Sequence, residues 1–174
     1  DEDGTVTDEQ AFHGNKAGKF VWGNDMVFLL GEKTEGSYVV DFRMYVPEGI
    51  GGYFSILHYM TSTSIVEEGC EITITANASS GTLKQRNTTT NFSFPKDQWV
   101  PVRFDINLEK DSILMTVNYQ VVKKWKFSDI STTTTPGTKQ LYGINSVCVG
   151  ESYPMILMVD KNQLGVLSTD ISCL

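Results

Sequence analysis

The feature that most constrains the fold is the segment of residues 91–128, in which apolar and polar side chains alternate between short turns. A period of two gives each strand one buried face and one solvated face. Turn-forming residues at 109–111 and 118–119 separate three such runs, so the segment predicts an antiparallel meander. The apolar set of its first long strand is Val100, Val102, Phe104, Ile106 and Leu108.

The length and composition predict one globular domain. The chain has 174 residues, of which 40% are hydrophobic, enough for a sizeable core. Its net charge of −7 argues against the basic surface that nucleic-acid binding needs, and no run of 18 apolar residues predicts a membrane span. We expect residues 1–18 to form a flexible N-terminal segment and residues 19–174 to form a single β-sandwich domain. The polar run of residues 1–10 resembles a mature N-terminus or a trimmed one.

Strand signals extend along the whole chain. Runs of β-branched and aromatic residues are broken by Gly, Pro and Thr clusters, and no capped helical pattern occurs. About a dozen strands in one domain favour two sheets, since sheets that large seldom stay single. The predicted fold class is therefore all-β, a two-sheet antiparallel β-sandwich. We expect residues 61–69 to form a polar loop, and the turn at residues 118–119 to be wide, because Tyr119 is costly at positive φ.

Cys70, Cys148 and Cys173 do not have the spacing of metal ligands. Their odd number leaves at least one thiol free or paired between chains. Cys70 and Cys148 lie in strand-like contexts, so we favour two core thiols. A Cys70–Cys148 disulfide is the alternative that the sequence leaves open.

Two predicted strands carry the candidate ligand-binding residues. In residues 38–46 a polar set shares one face, opposite an apolar set, whereas residues 52–60 are apolar on both faces. Such aromatic strands favour ordinary packing, and an aromatic platform for a ligand is the alternative. On the meander, Arg103, Asp105 and Asn107 show no catalytic arrangement, so we expect that segment to be scaffold. The candidate ligand-binding residues are Asp41, Arg43, Tyr45, Tyr53, His58 and Tyr59.

Several motifs resemble those of a known family. The segment of residues 25–60 contains LGEKTEG, MYVPEG and GYF, and later segments contain PKDQW, WKFS and QLYGIN. Together they resemble the concanavalin A-like lectin/glucanase domains of the laminin-G-like type found in secreted Bacteroidetes proteins. The likeness covers roughly residues 25–160.

The resemblance implies a jelly-roll sandwich that is secreted, periplasmic or on the outer cell surface. Domains of this kind commonly hold a structural calcium ion with acids near the first and last strands, and Asp25 and Asp160 match those regions. We expect no cofactor, with a structural calcium ion as the alternative, and calcium needs six to eight oxygen ligands. At the family's closing Tyr-Val-Asp-Asp strand, this chain has lost one acid.

The sequence argues against hydrolysis. The glucanase branch carries Glu-x-Asp-x-x-Glu on one strand, and no such spacing occurs here. Glu67, Glu68 and Glu71 are the nearest cluster, and a regular strand would place Glu68 and Glu71 on opposite faces. We therefore expect a non-catalytic module that binds a glycan or polysaccharide. Two alternatives stay open: an adhesive module that binds a surface protein, and a glycoside hydrolase with an unrecognised site.

Overall fold

Thirteen β-strands make up the regular structure of this computed structural model, which describes residues 4–21, 24–62, 65–132, 136–147 and 156–158. No helix occurs in that part of the chain, and hence none that could span a membrane. The strands are β1 (Thr5–Thr7), β2 (Ala17–Lys19), β3 (Asp25–Lys33), β4 (Ser37–Tyr45), β5 (Gly52–Ser62), β6 (Ile65–Ile74), β7 (Ser80–Gln85), β8 (Thr88–Ser93), β9 (Trp99–Asn107), β10 (Ser112–Val117), β11 (Gln120–Trp125), β12 (Leu141–Val147) and β13 (Ile156–Met158).

The strands form two large sheets and one small ladder. One sheet has five strands in the order β11-β10-β9-β4-β13, and the other has six in the order β3-β12-β5-β6-β7-β8. Strands β1 and β2 pair only with each other. Neighbouring strands are antiparallel throughout. The predicted fold class, an antiparallel two-sheet β-sandwich, is confirmed.

The core lies between the two large sheets, where the alternating apolar residues meet. Phe54 of β5 is fully buried, and its ring contacts Phe42 of β4 and Phe104 of β9 at centroid distances of 5.5 and 6.5 Å. These edge-to-face contacts join the sheets at the centre of the sandwich. The apolar set predicted for the meander is buried, as are Cys70 and Trp125. Burial raises the pKa of the free Cys70 thiol to about 12.

The β5–β6 hairpin differs from the predicted polar loop at residues 61–69. Strand β5 continues to Ser62 and β6 begins at Ile65, so most of that stretch is paired. The register shifts beside Gly69, where Ile56 faces Cys70 but Leu57 faces Glu68. Gly69 is therefore the extra residue of a bulge, and a Cβ atom there would collide with the imidazole of His58.

The turn at residues 118–119 is also tighter than expected. Val117 pairs with Gln120, so only Asn118 and Tyr119 form the loop. Both adopt positive φ, 47° and 63° respectively. The twist of a two-residue hairpin turn requires this conformation, which overrides the preference of Tyr119 against it.

One lysine joins its own segment to two others at an end of the sandwich. Lys96 is 8% exposed, and its ammonium donates hydrogen bonds to the carbonyl oxygens of Ile50, Thr75 and Ala76 at 2.6, 2.8 and 2.5 Å. Burial lowers its pKa from the ordinary lysine value. The side chain thus satisfies three backbone acceptors that the strand ladders leave over.

The N-terminal segment lies against the five-stranded sheet. Ala17 is buried against Tyr45 and Trp99, and the ring of Phe12 contacts that of Trp99 at 5.8 Å. The Lys19 ammonium also pairs with the Glu9 carboxylate at 2.6 Å. The flexibility predicted for residues 1–18 stays a prediction, but the described part of that segment has defined contacts.

Candidate functional site

Four charged side chains form a lattice on the outer face of the five-stranded sheet. Arg43 Nη1 lies 2.6 Å from Asp41 Oδ1. Arg103 donates to Asp105 through both Nε and Nη2, with distances of 2.9 and 2.5 Å to its carboxylate oxygens. Arg103 Nη1 also lies 3.9 Å from Asp41 Oδ2, which links the two pairs. We call Asp41, Arg43, Arg103 and Asp105 the charged lattice.

The period of two along β4 and β9 explains why the members of the charged lattice share one face of the sheet. Asp41 and Arg43 are two residues apart on β4, as are Arg103 and Asp105 on β9, so each pair shares a face. Asp41 and Arg103 are direct cross-strand partners. Bonding to Asp105 raises the pKa of Arg103 above its ordinary value. Each guanidinium is therefore held in orientation by a carboxylate next to it.

A groove of about 340 Å³ borders the charged lattice. Arg103, Asp105 and Lys124 contribute charged groups to its lining. Val39 and Leu114, the partners of Asp105 on the two flanking strands, contribute apolar surface. The groove thus combines fixed hydrogen-bonding groups with an apolar lining.

Aromatic side chains lie at the other end of the charged lattice. The rings of Tyr45 and Trp99, which are cross-strand partners, are 5.5 Å apart. The Arg43 guanidinium lies 5.2 Å from the centroid of the Phe12 ring, within the range of a cation–π contact. Of the predicted ligand-binding residues, Asp41, Arg43 and Tyr45 therefore lie together on this sheet.

The other three predicted residues lie on the six-stranded sheet. Tyr53 is half-buried and donates a hydrogen bond of 2.5 Å to Glu68 Oε1. Its pKa is raised, first by burial and then by the bond to Glu68. Tyr59 is exposed and lines a second cleft of about 340 Å³ with Ile65 and Val66. The six candidates therefore do not form one site.

His58 lies inside the protein, with 1% of its surface exposed. Its ring packs 4.5 Å from that of Phe127. Its Nδ1 lies 3.3 Å from Glu67 Oε1 without the alignment of a hydrogen bond. Because this side chain presents no surface to a ligand, we leave it out of the candidate site.

The acidic cluster on β6 differs from the sequence prediction. Because Gly69 is the bulged residue, Glu68 faces Leu57 and Glu71 faces Ser55, so both acids point to the same face of the sheet. The prediction of opposite faces is therefore wrong, since it assumed a regular strand. Glu71 pairs with Lys84 at 3.0 Å, whereas Glu68 accepts the bond from Tyr53.

The described residues do not fit the calcium site that the resemblance implies. Among them no three His, Cys, Asp or Glu side chains lie close enough together to hold a metal ion. Asp25 is exposed on β3, and its two carboxylate oxygens fall short of the six to eight that calcium takes. Asp160 lies outside the described residues, so calcium binding stays a prediction.

Cys148 and Cys173 also lie outside the described residues.

Sequence reasoning missed Arg103 and Asp105 as candidate site residues. The alternation of residues 100–108 places both on the solvated face, and that signal was present. What the sequence does not reveal is that β9 pairs with β4, which brings the two residues beside Asp41. The expectation that they belong to scaffold alone stays untested.

Comparison with known proteins supports the fold class. No protein-family model and no curated protein matches the sequence. The structure is similar to sheep galectin-11 in complex with glycerol, with a TM-score of 0.52 and 7% identity over 79% of this chain and 95% of that one. It is also similar to the carbohydrate-binding module CBM66 from Bacillus subtilis, with a TM-score of 0.50 and 11% identity over 90% of each chain.

A third similar structure is a sialidase, with a TM-score of 0.53 and 9% identity. The match covers 82% of this chain but only 12% of that one. Identities this low show a shared β-sandwich fold and nothing finer. Membership of the laminin-G-like Bacteroidetes family stays a prediction.

Proposed function

We propose that this chain is a non-catalytic carbohydrate-binding module and that the charged lattice and its groove form the binding site. The observation that carries the proposal is the pairing of Asp41 with Arg43 and of Arg103 with Asp105 beside an apolar-lined groove. The similarity to a galectin and to CBM66 of Bacillus subtilis supports the same class of function.

The chemistry of the site suits sugars. Carboxylate oxygens accept hydrogen bonds from hydroxyl groups, and guanidinium N–H groups donate to hydroxyl oxygens. Val39 and Leu114 offer apolar surface to the C–H groups of a sugar ring. Arg103 and Asp105 are 44% and 39% exposed, so a ligand can reach both.

The location that accompanies this proposal is extracellular: secreted, periplasmic or on the outer cell surface. Polysaccharides are found there, and the motif resemblance points to secreted proteins. Immunodetection of the native protein in culture medium, envelope and cytoplasmic fractions tests this part. Recovery from the cytoplasm alone would contradict it.

A glycan array followed by calorimetric titration of its best ligand tests the binding function. Arg103→Ala and Asp41→Ala each remove part of the charged lattice, and we expect each to weaken binding about tenfold or more, the loss of one or two charge-assisted hydrogen bonds. Lys84→Ala is the matched control, because Lys84 is 41% exposed and ion-paired on the other sheet. Circular dichroism confirms that each variant folds.

Three results would overturn the proposal. Silence on the array would favour the alternative of a protein-binding module. Equal losses of glycan affinity in Lys84→Ala and Arg103→Ala would show that binding does not depend on the charged lattice. Unchanged glycan affinity in both lattice variants would show that the binding site lies elsewhere on the sandwich.

Glycoside hydrolysis is a second candidate, favoured by one observation. The bulge at Gly69 turns Glu68 and Glu71 to the same face, and two carboxyl groups on one face are what a glycosidase uses. Release of reducing sugar from a polysaccharide panel, abolished by Glu68→Gln and by Glu71→Gln, would establish it. We expect no hydrolysis, because the Glu-x-Asp-x-x-Glu pattern is absent and each acid is already bonded to a neighbour.

A further inference from the structure

The charged lattice carries no net charge. It contains two guanidinium groups and two carboxylates, and the closest contacts within the two pairs are 2.6 and 2.5 Å. Asp41 also approaches the second guanidinium, at 3.9 Å from Arg103 Nη1. Positive and negative groups therefore alternate across two neighbouring strands, and no arginine of the lattice lacks a carboxylate.

This arrangement disfavours an anionic ligand. A sugar carboxylate or sulfate that reached Arg103 would have to displace Asp105 or lie beside it. Like charges in contact repel each other. The net charge of −7 on the whole chain adds a weaker, salt-screened repulsion.

The same arrangement favours neighbouring hydroxyl groups. A hydroxyl donates one hydrogen bond and accepts others, so two adjacent hydroxyls can bond a carboxylate and a guanidinium at once. Asp105 and Arg103 present such an acceptor and donor side by side. Because each arginine is already held by its carboxylate, its side chain loses less conformational entropy when a ligand binds.

We infer that this site, if it binds glycans as proposed above, selects neutral sugars with vicinal hydroxyl groups over sugars that carry carboxylate or sulfate groups. Lys124, an exposed cation that also lines the groove, lies outside the charged lattice. Because Lys124 is part of the groove, the control is Lys84, which is 41% exposed and ion-paired on the other sheet.

The test is a competition between neutral and acidic oligosaccharides of equal length. Neutral hexasaccharides from mannan, β-glucan and galactan are titrated against hexagalacturonate and a sulfated hexasaccharide. We expect the tightest ligand to be neutral, with an affinity at least about tenfold above that of the tightest acidic one. We expect its affinity to change less than about twofold between about 0.05 and about 0.3 M NaCl.

Two variants test whether the charged lattice causes the preference for neutral sugars. Asp105→Asn releases Arg103 from its carboxylate, and we expect it to shift the ratio of acidic to neutral affinity about fivefold or more toward the acidic ligand. Asp41→Asn, which leaves the Arg103–Asp105 pair in place, is the second variant if the first fails to fold. Lys84→Gln, on the other sheet, should leave the ratio within about twofold of the original.

The outcomes separate this inference from the proposed function. A preference for the acidic sugars would overturn the inference but leave carbohydrate binding standing. Binding of neither class would overturn both. An unchanged ratio in folded Asp105→Asn and Asp41→Asn, or a shift in Lys84→Gln as large as theirs, would show that the charged lattice does not set the selectivity.

Discussion

Glu67 Oε1 lies 3.3 Å from Nδ1 of the buried His58 on the neighbouring strand. The same oxygen accepts a hydrogen bond of 2.5 Å from the amide of Thr138. The contact with His58 holds the pKa of Glu67 below its ordinary value, although burial opposes this effect; the hydrogen bond from the Thr138 amide adds to the lowering. One carboxylate thus joins strands β5 and β6 to the segment that precedes β12.

This relationship predicts a loss of stability in acid. Since the pKa of Glu67 is lower in the folded than in the unfolded state, its contribution is complete above the ordinary value of 4.5 and is lost as the pH falls through the folded value. We expect the free energy of unfolding, measured with urea on both sides of that pH, to fall less steeply in Glu67→Gln. Exposed Glu109→Gln should keep the original slope, and a Glu67→Gln profile parallel to it would contradict the prediction.

Lys96→Met should destabilise the protein strongly. Methionine keeps an apolar stem, but the carbonyls of Ile50, Thr75 and Ala76 lose their shared donor. We expect a loss of about 2–4 kcal/mol in urea unfolding, because these bonds are made by a charged group at a largely buried position. Lys84→Met, which removes a partly exposed ion pair, should cost less than about 1 kcal/mol. Equal costs would mean that the three carbonyls find other partners.

Tyr119→Gly should stabilise the β10–β11 hairpin. Tyr119 is 77% exposed, so little packing is lost, while glycine removes the cost of a side chain at a φ of 63°. We expect a gain of about 0.5–1 kcal/mol in thermal unfolding. Tyr119→Ala is the control, since alanine keeps the Cβ atom and should give no gain. A gain of similar size from alanine would attribute the effect to the lost ring instead.

The Cys70 thiol should be unreactive in the folded protein. It is fully buried, and its pKa of about 12 leaves almost no thiolate near neutral pH. In a Cys148→Ser, Cys173→Ser background, we expect Ellman's reagent to modify Cys70 only after urea is added. Full modification in urea provides the control, and rapid reaction without urea would contradict the burial.

The sandwich class could be predicted because period-two alternation is a local property of the sequence. Residues 100–108 show it, and their apolar members are buried as expected. The β5–β6 hairpin could not be predicted, since pairing to Ile65 depends on contacts across the sheet rather than on local polarity. The requirement for glycine at position 69 comes from the imidazole of His58, a neighbour that only the fold supplies.

About half of the candidate site could be predicted from the sequence. Asp41, Arg43 and Tyr45 stand on one strand, and alternation alone places them on one face. Arg103 and Asp105 follow about sixty residues later, and no local rule pairs β9 with β4 rather than with another strand. The separation of Tyr53 and Tyr59 from this group likewise arises from sheet order.

The contact between Phe12 and Arg43 has a practical consequence for handling this protein. A truncated version starting at residue 19, the boundary that composition suggests, would lack both Phe12 and Ala17 and would uncover Tyr45 and Trp99. Newly bared aromatic rings adsorb to plastics, resins and sensor chips, so such a truncation invites false positives in any immobilised-glycan assay.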